Sequence, residues 1–332
     1  MIYKSKSRND LSQLAQFALM LVLFVPFLAQ AYTGVTILLS ASTATNLEFV
    51  ESFKGELAAV KNNNLKVKVI ELKENEKLVV AENSELVIAL GVKALEAASK
   101  LKYTTPVLGV FTPMPAFNAL LAQSRRELDV FSAIVLDQPY WRQISLIKTI
   151  LPDAKKMGIL LGKASSQYSD LLIEEGEAVN LAVDVENVNQ ESELIPKLKK
   201  VLEANDLLLA IPDPLIYNRK TAQPILLTSY RHQKPVFGYS QSYVRAGALG
   251  AVYSSTQQVA KQAAEIAIKA QQAPSLLPPP QAPKYFSVLV NRQVARSLNI
   301  PLMDDEAIYK KLLQLETIKR DEHHEHKVGA LQ

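Results

Sequence analysis

The sequence predicts an α/β protein made of two successive sets of strands and helices, each a mostly parallel sheet flanked by helices, with a cleft between the two lobes. Three observations carry this prediction. Apolar runs of roughly four to eight residues alternate with stretches whose apolar residues recur at helical spacing. Polar residues gather just after the apolar runs, at the carboxyl ends of the strands, where parallel sheets place ligands. The alternation also restarts near Asp137. The chain has 332 residues, 48% of them hydrophobic, and no cysteine, so neither disulfides nor a thiolate metal site support the fold. Core burial alone must do so, and a chain of this size suits two lobes.

Residues 1–31 read as a signal peptide and stand apart from the fold. Lys4, Lys6 and Arg8 form a basic start, residues 17–28 form an apolar run, and Ala29-Gln30-Ala31 places small residues at −3 and −1. The run is short of the roughly 20 residues that span a bilayer, so cleavage after Ala31 and a periplasmic location are expected. An uncleaved N-terminal anchor is the alternative. No cysteine follows the run, so lipid attachment by the bacterial lipoprotein route is not expected. Cleavage would take away three positive and one negative side chain, lowering the net charge from +4 to +2. So small a surplus argues against nucleic acid or an anionic membrane as partner.

The first lobe takes in residues 32–137 and 251–275. It opens with a strand at 35–39 and the turn Ser40-Ala41-Ser42-Thr43. Thr45-x-x-Glu48 reads as a capping box for a helix whose inner face is Leu47, Val50, Phe53 and Leu57. Strands follow at 65–72, with one wet face, and at 85–90, closed by Gly91 and a helix over 93–100. A strand at 106–111 leads through Thr112-Pro113-Met114-Pro115 into a helix ending near 124, and 130–136 closes the set. The second lobe, 138–250 and 284–316, repeats the plan. It has helix 138–151, strand 157–161, helix 165–180, strand 181–185, helix 190–204 and strand 207–211. Pro212-Asp213-Pro214 then opens a helix near Asn218, and strand 235–239 precedes a Ser/Tyr-rich loop and a return strand. The chain is expected back in the first lobe near Gly250-Ala251, with a helix over 256–272. The Pro-rich stretch 276–283 reads as a stiff third crossing. The stretch 317–332 reads as a polar, solvated tail. Its His323-His324-Glu325-His326 has no apolar period beside it that would supply an orienting second shell to a metal.

Catalysis finds little support. Gly238-Tyr239-Ser240-Gln241-Ser242 has a serine where a nucleophile elbow wants glycine. The body of the chain offers one imidazole, His232, at a helix end where a cation suits the dipole. HExxH, Walker and GxGxxG patterns are missing from the sequence, so no cofactor is implied. Binding is better served. Ser40, Ser42 and Thr43 place hydroxyls and free N–H groups at a helix N-terminus, suited to a ligand carboxylate or to plain capping. Gly91 lets a ligand approach the backbone. Asp137 and Asp213 are carboxylates able to receive an ammonium or to cap the next helix, and capping is the preferred role for Asp137. Phe111, Thr112, Tyr217, Tyr239 and Ser240 stand at strand ends, as does Tyr253, while Tyr140 and Trp141 open a helix. Among the aromatic residues, Tyr239 is the favoured ligand contact.

Four stretches, in order, resemble one family. They are Gln143-x-x-Leu146-Ile147-x-x-Ile150-Leu151-Pro152-x-Ala154-Lys155-x-x-Gly158, then Asp213 with Pro235-Val236-Phe237-Gly238 and Val244-x-Ala246-Gly247-Ala248-Leu249, then the helix 260–270, then Val290-Asn291-x-x-x-Ala295-x-x-Leu298-Asn299-Ile300-Pro301. Together they are similar to ABC transporter substrate-binding proteins of the tryptophan/tyrosine type. The resemblance implies a type 1 periplasmic-binding-protein fold with three crossings of the cleft. It also implies a non-enzymatic solute-binding function, an amino acid or related small molecule as ligand, and a membrane permease as partner. It puts a cleft-facing acid at Asp213. The chain departs from the family pattern at Pro113-Met114, where relatives carry Asp-Pro, at Ser132-Ala133 for Thr-Gly, and at Ala260 for Gly. With altered cleft residues, a periplasmic sensor or adaptor signalling to a membrane partner is the alternative. An envelope hydrolase resting on Ser240 and His232 is a distant third.

Overall fold

A computed structural model describes residues 34–61, 63–73, 85–272 and 277–329. The expected signal peptide lies outside the described residues. The chain forms two separate sheets. The first has strands β1 (Gly34–Leu39), β2 (Lys66–Glu71), β3 (Glu85–Leu90), β4 (Val107–Thr112) and β5 (Phe131–Val135), in the order β2-β1-β3-β4-β5. All its pairings are parallel. The second has β6 (Lys156–Leu161), β7 (Ala182–Asn187), β8 (Leu207–Leu209), β9 (Val236–Gly238), β10 (Gly250–Tyr253) and β11 (Ser287–Val290), in the order β11-β10-β9-β8-β6-β7. Here β11 is antiparallel and the rest are parallel. Each sheet reverses direction once, between β1 and β3 and between β6 and β8. Such a switch point opens a crevice at the strand ends.

Burial follows position in the sheet. β1 is buried at all six positions, as a central parallel strand covered on both faces must be. β2, at the edge, alternates around Lys66, Lys68 and Glu71. Helix α1 (Ala44–Ala58) and the helix α9 (Thr256–Gln272) cover one face of the first sheet. There Phe49, Phe53 and Leu57 meet Ala260, Ala263 and Ala267. The alanine at 260 has no exposed surface and serves close helix packing. Helices α2 (Val92–Ser99) and α3 (Met114–Ser124) cover the other face. In the second lobe α4 (Tyr140–Ile150), α5 (Ser169–Glu177), α10 (Arg292–Ser297) and α11 (Asp305–Gly329) border one core. On the opposite face lie α6 (Leu194–Ala204), α7 (Ala222–Arg231) and α8 (Gln241–Arg245).

Several expected boundaries move. The first helix is capped by Thr43, whose Oγ1 accepts from the Asn46 N–H at 3.2 Å, and Thr45 lies inside the helix. Glu48 instead accepts from Gln257 of α9. Residues 250–253, expected to begin the return to the first lobe, pair with β9 and β11. The second crossing therefore falls at Ser254-Ser255. The chain turns into its helix at Ala222 rather than near Asn218, after a run of turns. The segment around Pro278 to Gln281 lies along β5. Leu277 N–H donates to Asp129 O at 2.8 Å, and Val135 N–H to Gln281 O at 3.0 Å. Three consecutive prolines, with no N–H to offer, close that sheet edge against further pairing. The strand β11 went unpredicted, and the helix α11 continues through much of the expected polar tail, to Gly329.

Phe53 is fully buried and its ring lies 6.0 Å from that of Phe49. Phe53→Ala should lower first-lobe stability by about 3–5 kcal/mol, read as an earlier urea midpoint.

Candidate functional site

A cavity of about 520 Å³ opens between the lobes, within the usual size for small-molecule sites. Its walls are the segments that leave the strand ends: Pro113 after β4, Leu136 to Gln138 after β5, Pro212 after β8, Tyr239 to Ser242 after β9, and Tyr253 and Ser254 after β10. α4 adds Tyr140 and Gln143, and α8 adds Arg245. The sheet topology thus brings both lobes and two of the crossings to one place.

Asp137 is the acid of the cavity wall. It accepts the Met114 N–H through Oδ2 at 2.7 Å, closing the N-terminus of α3 in the first lobe. It therefore caps the helix before it rather than the one after. Burial raises the Asp137 carboxyl above the ordinary carboxylate range, outweighing the backbone bonds that lower it. Tyr140, edge-on to Tyr168 at 5.4 Å, has its phenol pushed up by burial first, then by Tyr168 and the Asp137 charge. Gln143, one turn further along α4, is 4% exposed, and its Oε1 has no hydrogen-bond partner among the described residues. An orphaned buried acceptor costs about 1–3 kcal/mol, which a donor on a ligand would offset. Tyr140 and Gln143, one turn apart on α4, and Asp137, just before the helix, together give the cavity an acid, an aromatic ring and an amide.

The opposite wall is made by the second lobe. Tyr239 stacks on Tyr243 at 5.6 Å and places its hydroxyl 3.4 Å from Tyr217 O. Ser240 caps α8, accepting the Tyr243 N–H at 3.2 Å, with Ser242 Oγ 3.0 Å away. These are the contacts of a helix-capping serine. Arg245 stands exposed at the rim.

Of the residues singled out from sequence, Asp137, Tyr239 and Ser240 line the cavity, as do the aromatic candidates Tyr140 and Tyr253. Asp213 is a correction. It is 3% exposed, and its carboxylate accepts from Ser165 Oγ at 2.9 Å and from the N–H groups of Leu215 and Ile216 at 2.9 and 3.3 Å. It folds its own turn and presses on Gly162, where an added Cβ would stand 2.6 Å from a carboxylate oxygen. Tyr217 is buried against Tyr239 and Tyr243 and belongs to the core. Thr112 is fully buried, its hydroxyl turned to Val110 O. Phe111 sits at a bulge with φ +55°, in the left-handed region, and packs edge-on to Phe49 at 5.5 Å. Thr43 caps α1 and Ser42 donates to Glu71, while Ser40 stands apart from the cavity. Gly91, with φ +83°, makes the tight turn into α2. Gln138, Gln143 and Arg245 were not anticipated. The i, i+3 spacing from Tyr140 to Gln143 was the available signal for Gln143.

The chain belongs to the ABC transporter substrate binding protein family, whose model matches residues 48–311. Solved structures share the fold. An ABC domain from Streptococcus pneumonia in complex with L-Trp is 17% identical with TM-score 0.56, over 85% of this chain and 98% of that one. A ligand-free, open substrate binding protein with adhesive properties from Clostridium difficile is 14% identical with TM-score 0.65, over 82% and 97%. No curated protein matches the chain.

Two carboxylates with contrasting surroundings should respond differently to mutation. Asp213→Ala should destabilise the fold by about 1–3 kcal/mol through lost turn bonds. Asp137→Asn, which removes a charge held out of water and still accepts the Met114 N–H, should raise the melting temperature of the ligand-free protein. Differential scanning calorimetry of both variants beside the parent checks the pair.

Proposed function

We propose that this protein is the exported, ligand-capturing component of an ABC importer, and that its ligand carries a protonated amine on an apolar body. The observation that carries the ligand class is Asp137. It is a carboxylate held partly out of water, with one oxygen taken by a backbone N–H, beside an aromatic wall and an unpartnered amide oxygen. A cation there restores what burial takes from the charge, and N–H donors match Gln143 Oε1. Tyr140, Tyr239 and Tyr253 supply ring faces for the apolar body. Ser240, Ser242 and Arg245 on the second lobe suit an anionic group at the ligand's other end. A zwitterion such as an amino acid satisfies both ends. The L-Trp bound by the Streptococcus pneumonia neighbour makes it the first compound to try. Export is supported by the basic start, apolar run and Ala29-Gln30-Ala31 of the sequence. Among the described residues no helix is long and apolar enough to cross a membrane.

The pH dependence has opposite signs with and without ligand. A carboxyl raised on folding favours the protonated folded state, so the ligand-free protein loses that stability as pH rises through the raised value. Amine binding needs the ionised form and strengthens over the same window, upward from about pH 4. Calorimetric titration with L-tryptophan, tryptamine and indole-3-propionate tests the reading. Both amines should bind, the acid without an amine should not, and Asp137→Asn should weaken amine binding at least about tenfold. Binding of indole-3-propionate equal to that of the amines would sink the assignment.

A further inference from the structure

Beneath the cavity floor lies a hydrogen-bond network that joins the three crossings to the C-terminal helix. Its centre is Arg142, whose side chain is 3% exposed. Arg142 donates to both carboxylate oxygens of Glu316 on α11, at 2.9 Å from Nε and 2.7 Å from Nη2. From Nη1 it donates to Gln138 Oε1 at 2.6 Å, on the first crossing, and to Pro283 O at 3.1 Å, on the third. The Gln138 amide then donates to Ser254 Oγ at 2.8 Å, on the second crossing, and Ser254 donates to Tyr285 O at 2.6 Å, back on the third. The guanidinium also lies over the Phe286 ring, 4.3 Å from its centre. Gln138 and Ser254 line the cavity, whereas Arg142 and Glu316 do not.

Two features make this more than a packing contact. Leu136 N–H is held by Thr112 O in the first lobe at 3.1 Å, and Gln138 is held by Arg142. Asp137, the acid on the cavity wall, is the single residue between the two holds. The network also gives Gln138 a fixed orientation, because one end of its amide accepts from Arg142 while the other donates to Ser254.

We propose that Arg142 and Glu316 are positioning residues. By fixing Gln138 and coupling the three crossings, they make the lobes move as one hinge and set ligand affinity from outside the cavity. The affinity part rests on the cavity being the ligand site, whereas the hinge part does not.

The cysteine-free sequence allows a clean test on the full chain. Spin labels at Lys93→Cys and Lys163→Cys, exposed residues just past strand ends in the two lobes, report the interlobe distance by pulsed electron resonance. Arg142→Met with Glu316→Leu removes both buried charges together and avoids stranding either one. A second variant, Glu316→Gln, keeps an acceptor for Arg142 and should fall between that pair and the parent. Expected is a distance distribution that broadens or splits in the double variant, and an L-tryptophan dissociation constant about tenfold weaker, carried by faster release. A folded double variant with the parent's distribution and an affinity within about twofold would overturn the proposal. If the double variant gives no cooperative melt, Glu316→Gln decides by the same criteria. If the parent itself does not bind L-tryptophan, that failure belongs to the ligand reading, and the distance distributions alone decide the hinge.

Discussion

The buried guanidinium of Arg142 holds together segments that no single core contains. Taking an ion pair out of water costs several kcal/mol per ion, and an apolar pair of similar volume is often as stable. The pair Arg142–Glu316 is therefore poor evidence for stability alone. Its geometry does something an apolar pair cannot. A planar fork of donors reaches a carboxylate on α11, an amide at Gln138 and a carbonyl at Pro283, in different directions and at 2.6 to 3.1 Å. Leucine or methionine would fill the space without specifying which segment lies where. Directional bonds fix the register of three crossing strands whose backbones have few ladder partners of their own. The cavity wall built on those strands inherits that register.

The cavity's chemistry depends on polar groups left incompletely satisfied. Asp137 retains a charge that burial opposes, and Gln143 Oε1 has lost water without gaining a donor among the described residues. Asp213, in the second lobe, shows the opposite arrangement, its carboxylate engaged by a hydroxyl and two backbone N–H groups. Both are acids after strand ends, yet one is finished by its own turn and the other is not. Folding free energy is given up at Asp137, and the complementary group on a ligand returns it. This is how a binding site remains specific without being the most stable arrangement of its residues.

The alternation of strands and helices was legible because central parallel strands are apolar on both faces and helices on one. The sheet edges were less so. β11 is a four-residue strand with one buried residue, too short and too mixed to stand out from a loop. The end of the second lobe was misplaced by a few residues because Gly250 to Tyr253 reads as a strand in either sheet, and only its pairing with β9 decides. Thr43 and Thr45 both precede an apolar period, and a choice of cap between positions two residues apart depends on backbone angles. At the site, Tyr239 and Ser240 were found from their position after β9. Asp213 was misassigned because an acid in a Pro-Asp-Pro turn has the same sequence whether it faces ligand or its own backbone. Gln138 and Gln143 carry no charge and occur widely on helix surfaces. Only once α4 is seen to begin at Tyr140 do Tyr140 and Gln143 fall on one face beside Asp137.

That face also bears on how binding becomes motion. The acid, ring and amide of positions 137, 140 and 143 lie where the first crossing enters the second lobe. Asp137 also caps a helix of the first lobe through Met114. Ser240, Ser242 and Arg245 stand on the second lobe alone. A ligand bridging these groups gains most when the gap between lobes is narrow, since each charge-assisted bond weakens steeply with distance. Binding free energy that depends on lobe separation favours the closed arrangement by the difference in contact between the two states. Because Asp137 lies between the hold on Leu136 in the first lobe and the hold on Gln138, the group proposed to anchor the ligand is also the one placed where the two lobes join.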